Sequence, residues 1–125
     1  MSKPDPNPFD ALEKIFHEPN RLAIMSALCV AEKGLTFNAL REQCSLTDGN
    51  LNRHLKVLEE AEAIRVTKAF VKNKPRTTIF LSKNGLKRFG EYLAALQQVL
   101  ATAQQGLQEE PRPQTSELPK GALLV

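Results

Sequence analysis

The chain has 125 residues, 42% hydrophobic and 25% charged, which is enough for one modest core and too few for two comfortable domains. Its two cysteines cannot form a disulfide framework, and no apolar run approaches membrane-spanning length. The opening MSKPDPNPFD lacks the apolar centre of a signal peptide, so a cytoplasmic protein with no membrane partner is expected.

A net charge of +3 is mild, but its distribution is not. Residues 47–89 hold ten basic side chains against four acidic ones, and no acid occurs between Glu62 and Glu91. Positive charge concentrated in one third of a chain is the footprint of polyanion binding.

Pro4, Pro6 and Pro8 make residues 1–8 an extended, flexible arm. Phe9, Leu12, Ile15 and Phe16 then recur at helical spacing, which predicts a short first helix. Pro19 suits the first turn of a second helix, PNRLAIMSALCVAEK, with Leu22, Met25, Leu28 and Cys29 inward and Gly34 ending it. Leu35, Thr36 and Phe37 can form a very short strand, and NALREQC a two-turn helix that buries Leu40 and Cys44. Both cysteines are read as small hydrophobes, because neither has a Cys or His at ligand spacing.

A three-residue connection leads to the next helix, about residues 48–61. Thr47 or Asp48 can cap it, and Leu51, Leu55 and Leu58 form one apolar stripe. Gly49, Asn52, Arg53, Lys56 and Glu60 project from the opposite side. That side is either a solvated face or one that hydrogen-bonds base edges and phosphates. A short helix, a tight turn and a longer helix with a polar outer face make a helix-turn-helix, an arrangement that also occurs as plain packing. His54 lies at the edge of the stripe, where it can hydrogen-bond a neighbouring element.

Beyond Ile64 the period changes to that of strands. IRVTKAFV and TTIFLS are rich in β-branched and aromatic residues, and the intervening KNKPR predicts a hairpin tipped by Lys72, Lys74 and Arg76. The lysines either protect a two-stranded edge or belong to a wing that lies along a phosphate backbone or enters a minor groove. Ser82 can cap a last helix over residues 83–107. In it Leu86, Phe89, Leu93, Leu96, Leu100, Ala103 and Leu107 alternate by three and four, an a/d seam. About 24 residues span about 36 Å, more than so small a core covers. The seam therefore either meets a second copy of the chain, through Leu93, Leu96, Leu100, Ala103 and Leu107, or folds back on the first helix. Residues 108–125, rich in Pro, Glu and Gln, read as a disordered tail.

The order α-α-β-α-α-β-β-α, mainly helical with a small β-wing, together with PNRLAIMSAL, LTFNALREQCSLTDGNLNRHLKVLEEA and KPRTTIFLSKNG, resembles the winged-helix DNA-binding domain family of small bacterial and archaeal transcriptional regulators of the MarR and ArsR types. The resemblance covers about residues 9–95. It implies a winged helix-turn-helix unit over residues 9–82, a recognition helix at 48–61 in the major groove of duplex DNA, a wing at 72–76, and a homodimer built from the terminal helices. Glu62 departs from the pattern, because such domains usually carry Gly there. The paired cysteines of metal-sensing ArsR members are also missing, so neither a metal nor another cofactor is expected. A small-molecule effector between the wing domain and the dimer helices is compatible with the family, although no polar cluster identifies one.

On this reading Asn50, Asn52 and Arg53 contact bases, Thr47 and Lys56 contact flanking phosphates, and Lys72, Lys74 and Arg76 supply further phosphate contacts. The expected action is repression by occupying a promoter. The alternative is a winged-helix adaptor that binds protein rather than DNA. An enzyme is excluded on chemistry, since His17 and His54 are far apart and no glycine-rich phosphate loop occurs.

Overall fold

A computed structural model describes residues 12–108. The elements are α1 (Pro19–Val30), β1 (Leu35–Thr36), α2 (Phe37–Cys44), α3 (Asp48–Glu60), β2 (Ile64–Val71), β3 (Lys74–Leu81) and α4 (Lys83–Gln108). The three strands form an antiparallel sheet in the order β1-β3-β2. This is the expected winged-helix order, with one change at its start. Residues 1–8 and the tail beyond Gln108 lie outside the described residues.

The change is the first helix. Phe9 lies outside the described residues, and Glu13 to His17 form only a turn, with the Phe16 and His17 amides both donating to the Glu13 carbonyl at 3.0 Å. Pro19 keeps this turn from running on into α1. A residue before proline is driven out of the α region, and Glu18 is extended (φ −146°, ψ 131°), its carboxylate capping the Arg21 amide at 2.8 Å. The turn still buries its key side chain. Phe16 is fully buried, edge-on to Phe89 at 5.3 Å and Tyr92 at 5.8 Å.

The inward face of α1 also differs in detail. Ile24, Met25 and Leu28 are buried, while Cys29 is exposed. The helix is apolar on several sides, so its periodicity alone could not choose between Ile24 and Cys29. Cys44 packs against the core as expected. The helix α2 begins at Phe37, one residue earlier than expected, because Thr36 caps it through the Ala39 amide at 3.1 Å.

The wing is tighter than a five-residue tip. Lys72 and Asn73 both adopt left-handed conformations (φ 54° and 64°), the mark of a two-residue hairpin turn. Lys74, Pro75 and Arg76 therefore belong to β3, paired with Val71, Phe70 and Ala69. Pro75 is tolerated because β1 pairs only with Thr78 and Ile79, which leaves that stretch of β3 with an open side.

The long helix α4 buries Gly85, Phe89, Tyr92 and Ala95, a face rotated from the predicted seam. Leu86, the first seam position, is exposed, as are Leu93, Leu100 and Leu107. Its base is locked to the end of α3. The Ser82 hydroxyl donates to the Glu62 carbonyl at 2.7 Å and accepts from the Gly85 amide at 2.8 Å. A Cβ on Gly85 would lie 1.8 Å from the Ala63 carbonyl oxygen, so only glycine permits this approach.

Glu62 itself is left-handed (φ 63°). Its amide donates to Glu59 and that of Ala63 to Leu58, both at 2.9 Å, which is the Schellman ending in which glycine normally stands. Glu62 thus holds a conformation that glycine would adopt without a Cβ penalty. Glu62→Gly should stabilise the fold by about 1 kcal/mol, read as a higher urea midpoint at unchanged slope. An unchanged or lower midpoint would mean that the turn stores no strain.

Candidate nucleic-acid interface

The placement of α3 follows from its buried side. Leu51, His54, Leu55 and Leu58 are all buried, and the helix starts where the Thr47 hydroxyl accepts the Asn50 amide at 3.2 Å. Asp48, in the first turn where a negative charge complements the helix dipole, accepts from Arg41 of α2 at 2.7 Å. This exposed pair adds little stability, but it ties the two helices of the helix-turn-helix together.

His54 is the buried polar group of the core. Arg21 of α1 reaches its Nδ1 at 3.1 Å while its own Nε donates to the Ile15 carbonyl at 2.7 Å, and the Asn20 amide lies 3.5 Å from Nε2. Arginine can only donate, so Nδ1 accepts and the neutral ring carries its proton on Nε2. Burial pushes the His54 pKa below its ordinary value; Arg53 and Arg21 push the same way, while Glu18 at 3.9 Å opposes them. The ring therefore acts as a neutral bracket between α1 and α3, hydrogen-bonding a neighbouring element as expected.

With that side buried, Gly49, Asn50, Asn52, Arg53, Lys56 and Glu60 are exposed. They do not all share one direction. Asn50 and Asn52 are about 200° apart around the helix. Asn52 and Lys56, with Leu55 and Glu59, line an open depression of about 830 Å³ whose other wall is Val66, Lys68 and Thr77 of the wing. Asn50 lies on the far flank, where its side chain accepts from Arg53 at 3.3 Å. Asn52 and Lys56 are thus brought beside the wing, whereas Asn50 acts first on Arg53.

Strand alternation sorts the wing residues. Lys68 and Phe70 follow Ile64 and Val66 on the face turned to α3, opposite Thr77 and Pro75. Lys74 and Arg76 pair with Val71 and Ala69, which belong to the other face. With Lys72 they line a second depression, about 770 Å³, against Thr36, Phe37 and Asn38. Lys68 was not singled out from the sequence as a site residue. Its place in the alternation after Ile64 and Val66 was the available signal.

The profile of the winged-helix DNA-binding domain matches residues 20–100. The chain belongs to that family. An uncharacterized protein of Methanocaldococcus jannaschii is 36% identical over 86 residues, 69% of this chain and 92% of its own. The structure of a transcriptional regulator homologue from Pyrococcus horikoshii matches with a TM-score of 0.69 and 26% identity, covering 76% of this chain and 94% of that one. MepR of S. aureus, in a DNA complex, matches with a TM-score of 0.63 at 19% identity, covering 79% of this chain and 80% of its own.

The family is one of transcriptional regulators rather than enzymes, and the structural neighbours are of the MarR type. Among the described residues no group of His, Cys, Asp and Glu is placed to hold a metal, and no helix is long and apolar enough to cross a membrane.

The bracket at His54 has a pH signature. Its folded pKa is depressed, so the unfolded chain takes up the proton first as pH falls, and the protein should lose stability below about pH 6.5, the ordinary histidine value. His54→Gln, which can still accept from Arg21, should flatten that acid limb. Urea midpoints from about pH 5 to 8 test this, and identical limbs in both proteins would assign the loss to other groups.

Proposed function

We propose that the chain binds duplex DNA as a homodimer, with α3 in the major groove and the β2–β3 wing on the flanking backbone, and that it represses transcription by occupying a promoter. The observation that carries this is the exposed rail of Asn52, Arg53 and Lys56 on α3 beside a cation-bearing wing, which itself lies in the acid-free stretch between Glu62 and Glu91. Asn52 and Arg53 are assigned to base edges, with Asn50 beside them steadying the guanidinium. Thr47, Lys56, Lys72, Lys74 and Arg76 are assigned to phosphates, and Lys68 joins them.

Dimerisation is assigned to α4. Leu86, Leu93, Leu100 and Leu107 recur every seven residues and are 59%, 40%, 49% and 82% exposed, an apolar line that the chain's own core leaves bare. Leu96 and Ala103 flank it. Two-fold symmetry then calls for a near-palindromic operator with half-sites roughly one turn, ~10 bp, apart. NadR in complex with 4-hydroxyphenylacetate and heme-bound PefR share the fold, which supports a small-molecule effector held between the DNA-binding unit and the paired helices.

Selection of bound sequences from random duplexes supplies the operator. Affinity for it should then fall by roughly 10³ to 10⁵ from about 50 to 200 mM salt if two protomers neutralise roughly six to ten phosphates. Arg53→Ala should cost about 1 to 3 kcal/mol and relax base preference, whereas Lys74→Ala should weaken all sequences alike. Equal loss of preference in both variants contradicts the assignment, and no duplex binding near physiological salt favours an adaptor.

Leu100→Glu tests the dimer. The wild type should sediment at twice 13.9 kDa at micromolar concentration and the variant as a folded monomer. A monomeric wild type would remove the dimer from the proposal.

A further inference from the structure

The wing carries a feature that phosphate binding does not use. Phe70 is 78% exposed at the outer end of β2, directly across from the exposed Pro75. Among the described residues no other ring packs on it and no cation sits over it, in contrast to Phe80, which lies under Arg65 at 5.4 Å. A solvent-facing phenylalanine two residues from the hairpin turn costs solubility and contributes nothing to the core.

Its surroundings name the occupant. Lys68 shares its face of the hairpin, Lys72 stands at the turn, Lys74 and Arg76 are exposed on the opposite face, and there is no acid nearer in the chain than Glu62. An apolar ring on a hairpin that carries four cations repels a basic partner and matches a polyanion that has apolar surface within it. Duplex DNA is such a partner. Its phosphates flank a minor groove walled by deoxyribose carbons and floored by base edges, and apolar side chains entering that groove pry base steps apart.

The direction also fits. Alternation from Ile64 and Val66 puts Phe70 and Pro75 on the face of the hairpin turned to α3, one pair further out than Lys68 and Thr77, which wall the depression above Asn52 and Lys56. A duplex seated on α3 would meet this face.

Resting on the DNA-binding reading above, we propose that Phe70, backed by Pro75, is an apolar wedge that enters the minor groove beside the half-site read by α3. Lys68 on its own face, and Lys72, Lys74 and Arg76 at the turn and on the opposite face, hold the backbone on either side of it. The contact contributes affinity that salt does not screen.

The test uses the full-length protein and the duplex recovered by selection, with 2-aminopurine placed at successive steps outside the half-site. Wild type, Phe70→Ala, Phe70→Leu and Lys74→Ala are titrated over a salt range. Because Phe70 is exposed, its truncation leaves the fold intact, which circular dichroism verifies. Phe70→Ala should bind about tenfold more weakly with an unchanged slope of log affinity against log salt, and Phe70→Leu should recover part of the loss. Lys74→Ala should instead lower the slope by roughly one unit per protomer. The 2-aminopurine signal should rise on binding wild type and stay flat with Phe70→Ala.

Wild-type affinity and fluorescence in Phe70→Ala overturn the wedge while leaving DNA binding standing. A change in sedimentation mass without a change in affinity overturns it in favour of a contact between copies. Absence of duplex binding by the wild type overturns both the wedge and the reading on which it rests.

Discussion

Three consecutive carbonyls at the end of α3 hold the molecule together as a working unit. Ala61 accepts from the Arg88 guanidinium at 2.7 Å, Glu62 from Ser82 and Asn84 at 2.7 and 3.3 Å, and Ala63 from the Ser82 amide at 3.2 Å. Ala61 is the C-cap of α3 and Glu62 and Ala63 follow it, so none of the three carbonyls has an intrahelical partner, and here Ser82 and the first turns of α4 supply the donors. Each bond contributes about 1 kcal/mol. Its larger effect is geometric, because α3 and α4 meet at backbone distance over Gly85 rather than through long, adjustable side chains.

The same junction reaches the first of the described residues. Arg88 also forms a charged pair with Glu13 at 2.6 Å and lies over the Phe16 ring at 5.7 Å, while His17 bonds the Tyr92 hydroxyl at 2.9 Å. One arginine thus joins the turn before α1, the end of α3 and the flank of α4. His54 and Arg21 secure the other side of α3. The helix is braced at its end and along its buried side, and apart from the Asp48–Arg41 pair its outer face carries no structural duty. That division lets polar residues on the outer face change without cost to the fold.

Much of this was legible in the sequence because it is local. The stripe of Leu51, Leu55 and Leu58, the cap at Thr47, the cap at Ser82 and the change from helical to strand period at Ile64 each depend on residues within a turn or two. The wing's existence followed from β-branched runs around a basic segment. The tip was drawn too long, because Lys74, Pro75 and Arg76 look like loop residues, and only the open side of β3 lets a proline stand in a strand. Asn50 and Asn52 were grouped by nearness in sequence, although two positions on a helix face nearly opposite ways.

Sequence by itself determined the element order from α1 onward, the amphipathic face of α3 and the segregation of positive charge, since periodicity, capping and composition act through near neighbours. Tertiary structure alone decided three other things. It left the described part of the periodic segment around Phe16 as a turn, since Phe89 and Tyr92 on α4 accept the phenylalanine without a helix. It divided the leucine seam of α4, turning Phe89 and Tyr92 inward and leaving the heptad line of Leu86, Leu93, Leu100 and Leu107 bare. It also set Phe70 beyond the reach of the core on the face shared with Ile64, since burial depends on where the sheet outruns the helices, and no local pattern records that distance.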